Sequence, residues 1–413
     1  MEQKDFAGKK LLILGGDTNM YNVVKLAKQK GAYTIVTDWY DSISSPSKLI
    51  ADEAWDVSWK DIDELSRRCK EIGIDGVITG FSEFIVDSMV QLCSALNLPC
   101  YINKEQLELT RDKDAFKKYC QAHGVHTVKE WDINDSNIEF PVIVKPVDRA
   151  GSIGINTAYN EEEYRAFLDI ALELSPSNHI IVEQYMGGAL KFDCYYEIVD
   201  HKVSFIGSSD TLMLSIDKGM ETKQQGWLFP SSCEEHFKKE FSPTVEKMIE
   251  SMGFDFGYCT ISFFYKDGDF FAFEAGFRFS GEHSYDYQRC TQGNDYMIDM
   301  LHYHLGLPLP PRSTNRNNLM MLSYNLYVNT PNEDIIKYVD LGDLASQQSI
   351  KTITTYVHAG TQIKKSVPTK VAMCNIVDKD KELISKSISL INESVCIKGI
   401  GGKLELFSPK KEL

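Results

Sequence analysis

The chain has 413 residues, 43% of them hydrophobic and 25% charged, with a formal net charge of −15. This length has room for several packed domains, and the composition is that of a globular rather than a disordered or fibrous chain. The acidic balance offers no attraction to phosphate backbones or anionic lipid, so neither nucleic acid nor membrane is expected as a partner.

The polar start, MEQKDFAGKK, leads straight into a strand at Lys10 to Leu14. No signal peptide is expected there, no later apolar run approaches a membrane span, and a cytoplasmic location follows by default. Gly15 and Gly16 turn the chain into a helix carrying Val23, Val24 and Ala27. Strands at Tyr33 to Thr37 and Gly76 to Thr79 flank an amphipathic helix around Ile62 to Ile72. Alternating β and α elements predict a doubly wound parallel sheet, whose ligand rim would carry Gly15, Asp38 and Gly80 to Glu83.

From Asn103 a small α+β unit is expected: a helix at Lys113 to His123, a strand at Val142 to Lys145, a glycine loop and a helix at Glu161 to Leu174. Strands rich in Tyr, Phe and Ile follow, including the hairpin Tyr258 to Phe273 around Asp267 and Gly268. Ser208 to Ser232 reads as a long polar loop, and the proline-rich Leu307 to Arg312 as a boundary before short strands and one helix at Asp380 to Asn392. The expected domains are 1–102, 103–182, 183–312 and 313–413. The ten cysteines are scattered without CxxC pairs or Cys/His clusters, which reads as reduced thiols.

Two glycine phrases invite a phosphate reading. GGDTNM after the first strand suggests a dinucleotide site with Asp38 on a ribose, but lacks the GxGxxG spacing; a nicotinamide-dependent oxidoreductase is therefore only an alternative. PVIVKP places Lys145 at a strand end, and the following loop holds Gly151, Ser152 and Gly154. Small residues let backbone N–H groups approach a phosphate while the lysine supplies the cation.

With TRDKDAF, IIVEQYMGG and FEAGFR in the same order along the chain, the sequence resembles the ATP-grasp superfamily, in the company of L-amino-acid ligases, biotin carboxylase and carbamoyl-phosphate synthetase. The resemblance implies an ATP-grasp fold preceded by a doubly wound sheet domain and followed by a small β-rich one. It implies ATP and Mg²⁺, with Lys113 and Lys145 on the phosphates, Gly151, Ser152 and Gly154 in the flexible loop, and Glu183, Gln184 and Met186 on the adenine. It further implies Asp193 on the ribose, Glu274 and Ser262 at the metal, and Arg278 on the transferred group. The function implied is an ATP-dependent carboxylate–amine ligase working through an acyl-phosphate and releasing ADP and phosphate. Its partners would be small carboxylates and amines, amino acids among them, and a homodimer is allowed.

Phosphoryl transfer needs charge neutralisation and alignment more than covalent help, which two lysines, an arginine and Mg²⁺ provide. Two departures stand out. The hairpin pairs Ser262 with Glu274 where the family has a second acid or amide, and Gly276 replaces a metal-binding asparagine. These leave room for a degenerate nucleotide-binding protein without ligase activity, or for a site that recruits Glu282 or Asp286. Lys191, His283, Tyr285 and Tyr287 are further candidates, the aromatics reading as packing before recognition.

Overall fold

The computed structural model describes residues 5–146, 154–214, 223–365 and 367–407. Its first sheet comprises β1 (Lys10–Leu14), β2 (Tyr33–Thr37), β3 (Glu53–Trp55) and β4 (Gly76–Ile78), all parallel in the order β3-β2-β1-β4. Buried runs such as Leu11–Leu14 make these strands apolar on both faces, as a helix-covered parallel sheet requires. The covering helices are α1 (Met20–Gln29), α2 (Ile62–Ile72) and α3 (Glu83–Leu96).

Helices α4 (Lys104–Arg111) and α5 (Lys113–Ala122) lead to a small antiparallel sheet: β5 (Glu130–Trp131), β6 (Val142–Pro146), β7 (Asn156–Ala158) and, after α6 (Glu161–Leu174), β8 (Ile180–Gln184). Asp112 caps α5 by accepting from Ala115 N at 2.9 Å, and Asn160 caps α6 by accepting from Glu163 N at 3.0 Å. This sheet keeps its own core of Val142, Val144, Tyr164, Ala171 and Val182.

The main sheet is formed by β9 (Leu190–Val199), β10 (Lys202–Met213), β11 (Gln224–Phe229), β12 (Phe256–Lys266) and β13 (Asp269–Gly276), backed by α7 (Glu234–Glu240) and α8 (Ser242–Ser251). After α9 (Ser284–Gln292) and α10 (Tyr296–His304), it continues into β14 (Met320–Val328), β16 (Ile350–Thr355) and β18 (Thr369–Asp378). The order is β13-β12-β9-β10-β11-β14-β18-β16, with β21 (Leu406–Phe407) beside β14. A last small sheet holds β15 (Asp334–Asp340), β17 (Gln362–Ile363), β19 (Cys396–Gly399) and β20 (Gly402–Leu404), with α11 (Lys381–Ser394) nearby.

The proline-rich segment therefore interrupts the chain but not the sheet, since β11 pairs directly with β14. The expected loop from Ser208 to Ser232 is corrected: much of it is the β10–β11 hairpin. Asp210, Leu228 and Phe229 are buried in those strands, so tertiary burial overrides the polar composition. The tip, with Asp217 and Lys218, lies outside the described residues. Among the described residues, no helix is long and apolar enough to cross a membrane.

Candidate functional site

Asp267 and Gly268, at φ 54° and 89°, close the β12–β13 hairpin as a tight two-residue turn pairing Lys266 with Asp269. An unbroken ladder from that turn would set Ser262 against Phe273. A bulge inserts Phe273 as an extra residue, so Ser262 pairs with Glu274 instead. On the other edge of β12, Ser262 pairs with Asp193 of β9. Paired residues of antiparallel strands share a face, so Glu274, Ser262 and Asp193 form one row across three strands.

The members of this row differ in availability. Ser262 Oγ donates to Asp193 Oδ1 at 2.5 Å, while Thr211 Oγ1 and Trp227 Nε1 donate to Asp193 Oδ2 at 3.0 and 3.1 Å. Both oxygens of this buried carboxylate are thus engaged. Glu274 is exposed to the cleft. A cleft of about 230 Å³ is lined by these three residues together with Lys191, Arg278 and Glu282, among others. Lys191 lies with its ammonium 5.4 Å over the Phe273 ring.

Arg278 follows directly from β13. Tyr101 braces that exit by donating to Phe277 O at 2.7 Å. One Arg278 nitrogen, Nη1, donates to Phe279 O at 3.1 Å, while Nε is buried without a hydrogen-bond partner and lies 3.8 Å from Glu83 Oε1. Glu83 belongs to the rim of the first sheet, so the sequence placed it near a ligand edge without bringing it into this site. Burial pushes its carboxyl up, Arg278 opposes that, and Glu274 adds to it. Glu282 is almost fully buried, accepts from Tyr195 OH at 2.7 Å, and is pushed up by burial and by Asp193. Ser323 of β14 holds its backbone, donating to Glu282 O at 2.6 Å.

Of the expected nucleotide lysines, Lys113 opens α5 and Lys145 belongs to the small sheet. Lys145, at the end of β6, is ion-paired with Glu183 of β8, the residue expected at the adenine. Lys117, absent from the sequence candidates, pairs with the same carboxylate at 2.8 Å and also with Glu130. It sits one helical turn beyond Lys113, on the face that buries Phe116 and Cys120, which is the sequence signal for it. Burial would depress Lys117, but Glu183 and Glu130 outweigh it and hold the ammonium above its ordinary range. In Lys145 burial prevails and the ammonium is lowered. Burial likewise pushes Glu183 up, yet the two lysines bring it below the usual carboxylate range.

Gln184 spends its N–H on Lys129 O at 2.9 Å, and Met186 is buried beyond it. At Gly154 φ is 81°, and an added Cβ would sit 3.0 Å from Pro146, so a glycine is needed to follow β6 closely. Gly151 and Ser152 lie outside the described residues.

Asp38 is engaged by the protein itself. It accepts from Gly16 N at 3.0 Å, Ser45 Oγ at 3.2 Å and Tyr40 N at 3.3 Å, fastening the β1–α1 turn. A Cβ on Gly16 would lie 2.1 Å from Ser45 Oγ, so the space a pyrophosphate needs is filled by protein. Asp286, considered as a recruited metal ligand, is fully buried and receives Arg289 Nη2, Thr352 Oγ1 and Asn375 Nδ2 at 2.5, 2.6 and 2.8 Å. It anchors α9 to β16 and β18. Tyr287 packs on Phe229 with ring centroids 5.0 Å apart, as the packing reading had it.

Comparison with known proteins agrees with this geometry. Residues 116–275 match the family model described as the D-ala D-ala ligase C-terminus. Formate-dependent phosphoribosylglycinamide formyltransferase of Prochlorococcus marinus is 23% identical over 202 residues, 46% of this chain and 51% of that protein. The match thus spans about half the length of this curated relative. The biotin carboxylase domain of Hydrogenobacter thermophilus 2-oxoglutarate carboxylase, solved with MgADP and bicarbonate, superimposes with a TM-score of 0.78 at 18% identity, over 96% of this chain and 91% of that one. The L-amino acid ligase of Bacillus licheniformis does so with a TM-score of 0.75 at 17% identity, over 95% and 98%. The protein has the ATP-grasp fold, set between a parallel sheet and a β-rich C-terminal part, and within it residues 116–275 match the family model of the D-ala D-ala ligase C-terminus.

Proposed function

We propose that the protein is an ATP-dependent carboxylate–amine ligase working through an acyl-phosphate. The observation that carries this reading is the row of Glu274, Ser262 and Asp193 facing one cleft with Arg278, which Glu83 approaches to 3.8 Å.

The residues fit magnesium and ATP in a particular way. Magnesium prefers hard oxygens and keeps phosphate oxygens and waters in its shell. Among the described residues no cluster of three metal-binding side chains exists, and Asp193 is already saturated by three donors. Glu274 is therefore the protein ligand, Ser262 its weak neighbour, and the remaining oxygens would come from the nucleotide and water. Lys113, Lys145 and the loop through Gly154 cradle the phosphates, while Gln184 and Met186 border the adenine. Magnesium ATP supplies the phosphoryl group that activates the substrate carboxylate.

The chain's own residues do the rest. Arg278, with its buried Nε unpartnered, neutralises the oxygens of the activated carboxyl. Glu83 carries a raised carboxyl beside Arg278 and takes the proton from the amine as its nitrogen attacks the acyl carbon and phosphate leaves. The biotin carboxylase domain solved with MgADP and the L-amino acid ligase share the fold, which supports the nucleotide and makes amino acids the first substrates to try.

ADP release from ATP and Mg²⁺, screened against pairs of amino acids and small carboxylic acids, tests the reading. Amine-dependent release supports it. Nucleotide binding without turnover by any pair would favour the degenerate alternative, which the engaged Asp193 and the glycine at position 276 also favour. We further propose a cytoplasmic protein that can act as a homodimer.

A further inference from the structure

Within electrostatic reach of Glu282, at the border of the cleft, Lys370 and Tyr356 stand beside Asn19 and His283. Lys370 of β18 holds its ammonium 4.3 Å over the Tyr356 ring and 3.9 Å from Met373 Sδ. Among the described residues no carboxylate forms an ion pair with it. Glu282 is the acid it feels, at longer range, and burial pushes the ammonium down to about 8. Tyr356 OH donates to Asn19 Oδ1 at 3.3 Å, and His283 Nε2 lies 3.3 Å from the same oxygen. His283 is fully buried and pushed down to about 3 by desolvation, so its ring is neutral and Nε2 carries the donated proton. With Oδ1 receiving both donors, the Asn19 amide is held with its N–H₂ end free to donate.

An ammonium withdrawn from water without a counter-charge is unfavourable, and an arriving oxyanion relieves it. Aromatic contact offsets only part of that penalty. Glu282 lies within electrostatic reach of both this group and Asp193 of the acidic row, so a ligand held here extends toward the reacting end of the cleft.

We infer that Lys370, assisted by the Asn19 amide, binds a remote oxyanion of the substrate, a carboxylate or a phosphate, and thereby positions its other end at Arg278 and Glu274. This rests on the ligase reading for the word substrate, but not for the anion site. Lys370 is a binding and positioning residue and takes no part in the bond changes.

The test uses the full chain and competitive acetylation by acetic anhydride near pH 8, read by peptide mass spectrometry, with chloride as the background salt. An anion on Lys370 should raise its pKa by about one unit and, near pH 8, slow its acetylation about fivefold, while the exposed Lys364 and Lys365 react unchanged. Protection by inorganic phosphate alone assigns a phosphate-bearing substrate, and protection by acetate assigns a carboxylate. In parallel, the protecting anion should raise the melting temperature of the wild type and of Lys370→Arg but not of Lys370→Met. Absence of protection by both anions, or equal stabilisation of Lys370→Met, overturns the proposal. Magnesium ATP titrated into the same wild-type sample separates the two ideas. Lost nucleotide binding with retained anion protection would remove the ligase reading and leave the anion site standing.

Discussion

The two charged halves of the site solve the same problem in opposite ways. On the main sheet, Glu274 stands exposed on a rigid strand with no cation paired to it among the described residues. On the small sheet, Lys117 and Lys145 are folded onto a shared, buried Glu183. In the proposed ligase the acidic row would receive a cation, whereas the basic group carries its own anion and would have to release at least part of it to meet a phosphate. A site with both halves open would suffer like-charge repulsion in each, and one with both closed would have to break two buried networks at once. The small sheet also keeps a core separate from the larger one shared by the first and main sheets, so its charge pairing can change without repacking the rest.

The largest effect tests the closed half. Glu183→Gln leaves two buried ammonium groups facing a neutral amide, and breaking a buried pair from one side costs about 3–5 kcal/mol. Urea unfolding should show that loss. Saturating ATP should restore part of it, because phosphate would replace the missing anion. A variant as stable as the wild type would mean that Glu183 is not the counter-ion of both lysines.

Next comes the open half, where Glu274→Gln should leave folding nearly untouched and reduce turnover about 10²–10³-fold, the scale of a charge removed from a developing phosphoryl group. Steady-state ADP release measures turnover, and the melting temperature checks the fold. A large drop in stability instead would place Glu274 in a structural network like that of Glu183.

Much of this contrast was legible in the sequence, and the parts that were not have physical reasons. The doubly wound sheet, the hairpin turn at Asp267–Gly268 and the strand–glycine loop–helix order all follow from local patterns. Glu274 and Arg278 came from the resemblance of FEAGFR to a phrase of the ATP-grasp family. Asp193 entered as a ribose acid, but its place beside Ser262 depends on β9 pairing with β12 across more than sixty residues, which no local pattern encodes. The bulge at Phe273 is equally silent, because one extra residue in a run of aromatics leaves the apolar pattern intact. Lys117 was passed over because a lysine on a helix is ordinarily solvated, and only the approach of Glu130 and Glu183 makes burial tolerable. Glu83 needed the packing of the first sheet against the main one, visible where Phe81 meets Phe279 at 5.7 Å.

A third test sharpens the acidic row itself. Ser262→Glu adds a carboxylate between Asp193 and Glu274, so the row should repel itself without cation and bind magnesium about tenfold more tightly when it is present. Titration of magnesium into the ATP-bound variant, followed by its melting temperature, reads both effects. If the magnesium dependence of ATP binding stays as in the wild type, Ser262 does not face the metal.

The smallest effect isolates burial from pairing. Lys117 and His283 are both withdrawn from water, yet Lys117 is held charged by two carboxylates, whereas at His283 burial prevails and, reinforced by Lys370, pushes it down from 6.5 to about 3. Between those two values the unfolded chain binds a proton that the folded chain refuses. The contribution of His283 is therefore fully present above pH 6.5 and is lost progressively as pH falls toward 3. Asparagine does not titrate and tolerates the left-handed backbone found here, φ 58°. His283→Asn should accordingly be less destabilising at pH 6 than at pH 8 by about 1 kcal/mol, measured by urea unfolding at the two values. A difference between variant and wild type that is the same at both pH values would show that His283 is protonated as readily in the folded protein as in the unfolded one, and the neutral ring that directs Nε2–H onto Asn19 would be lost with it.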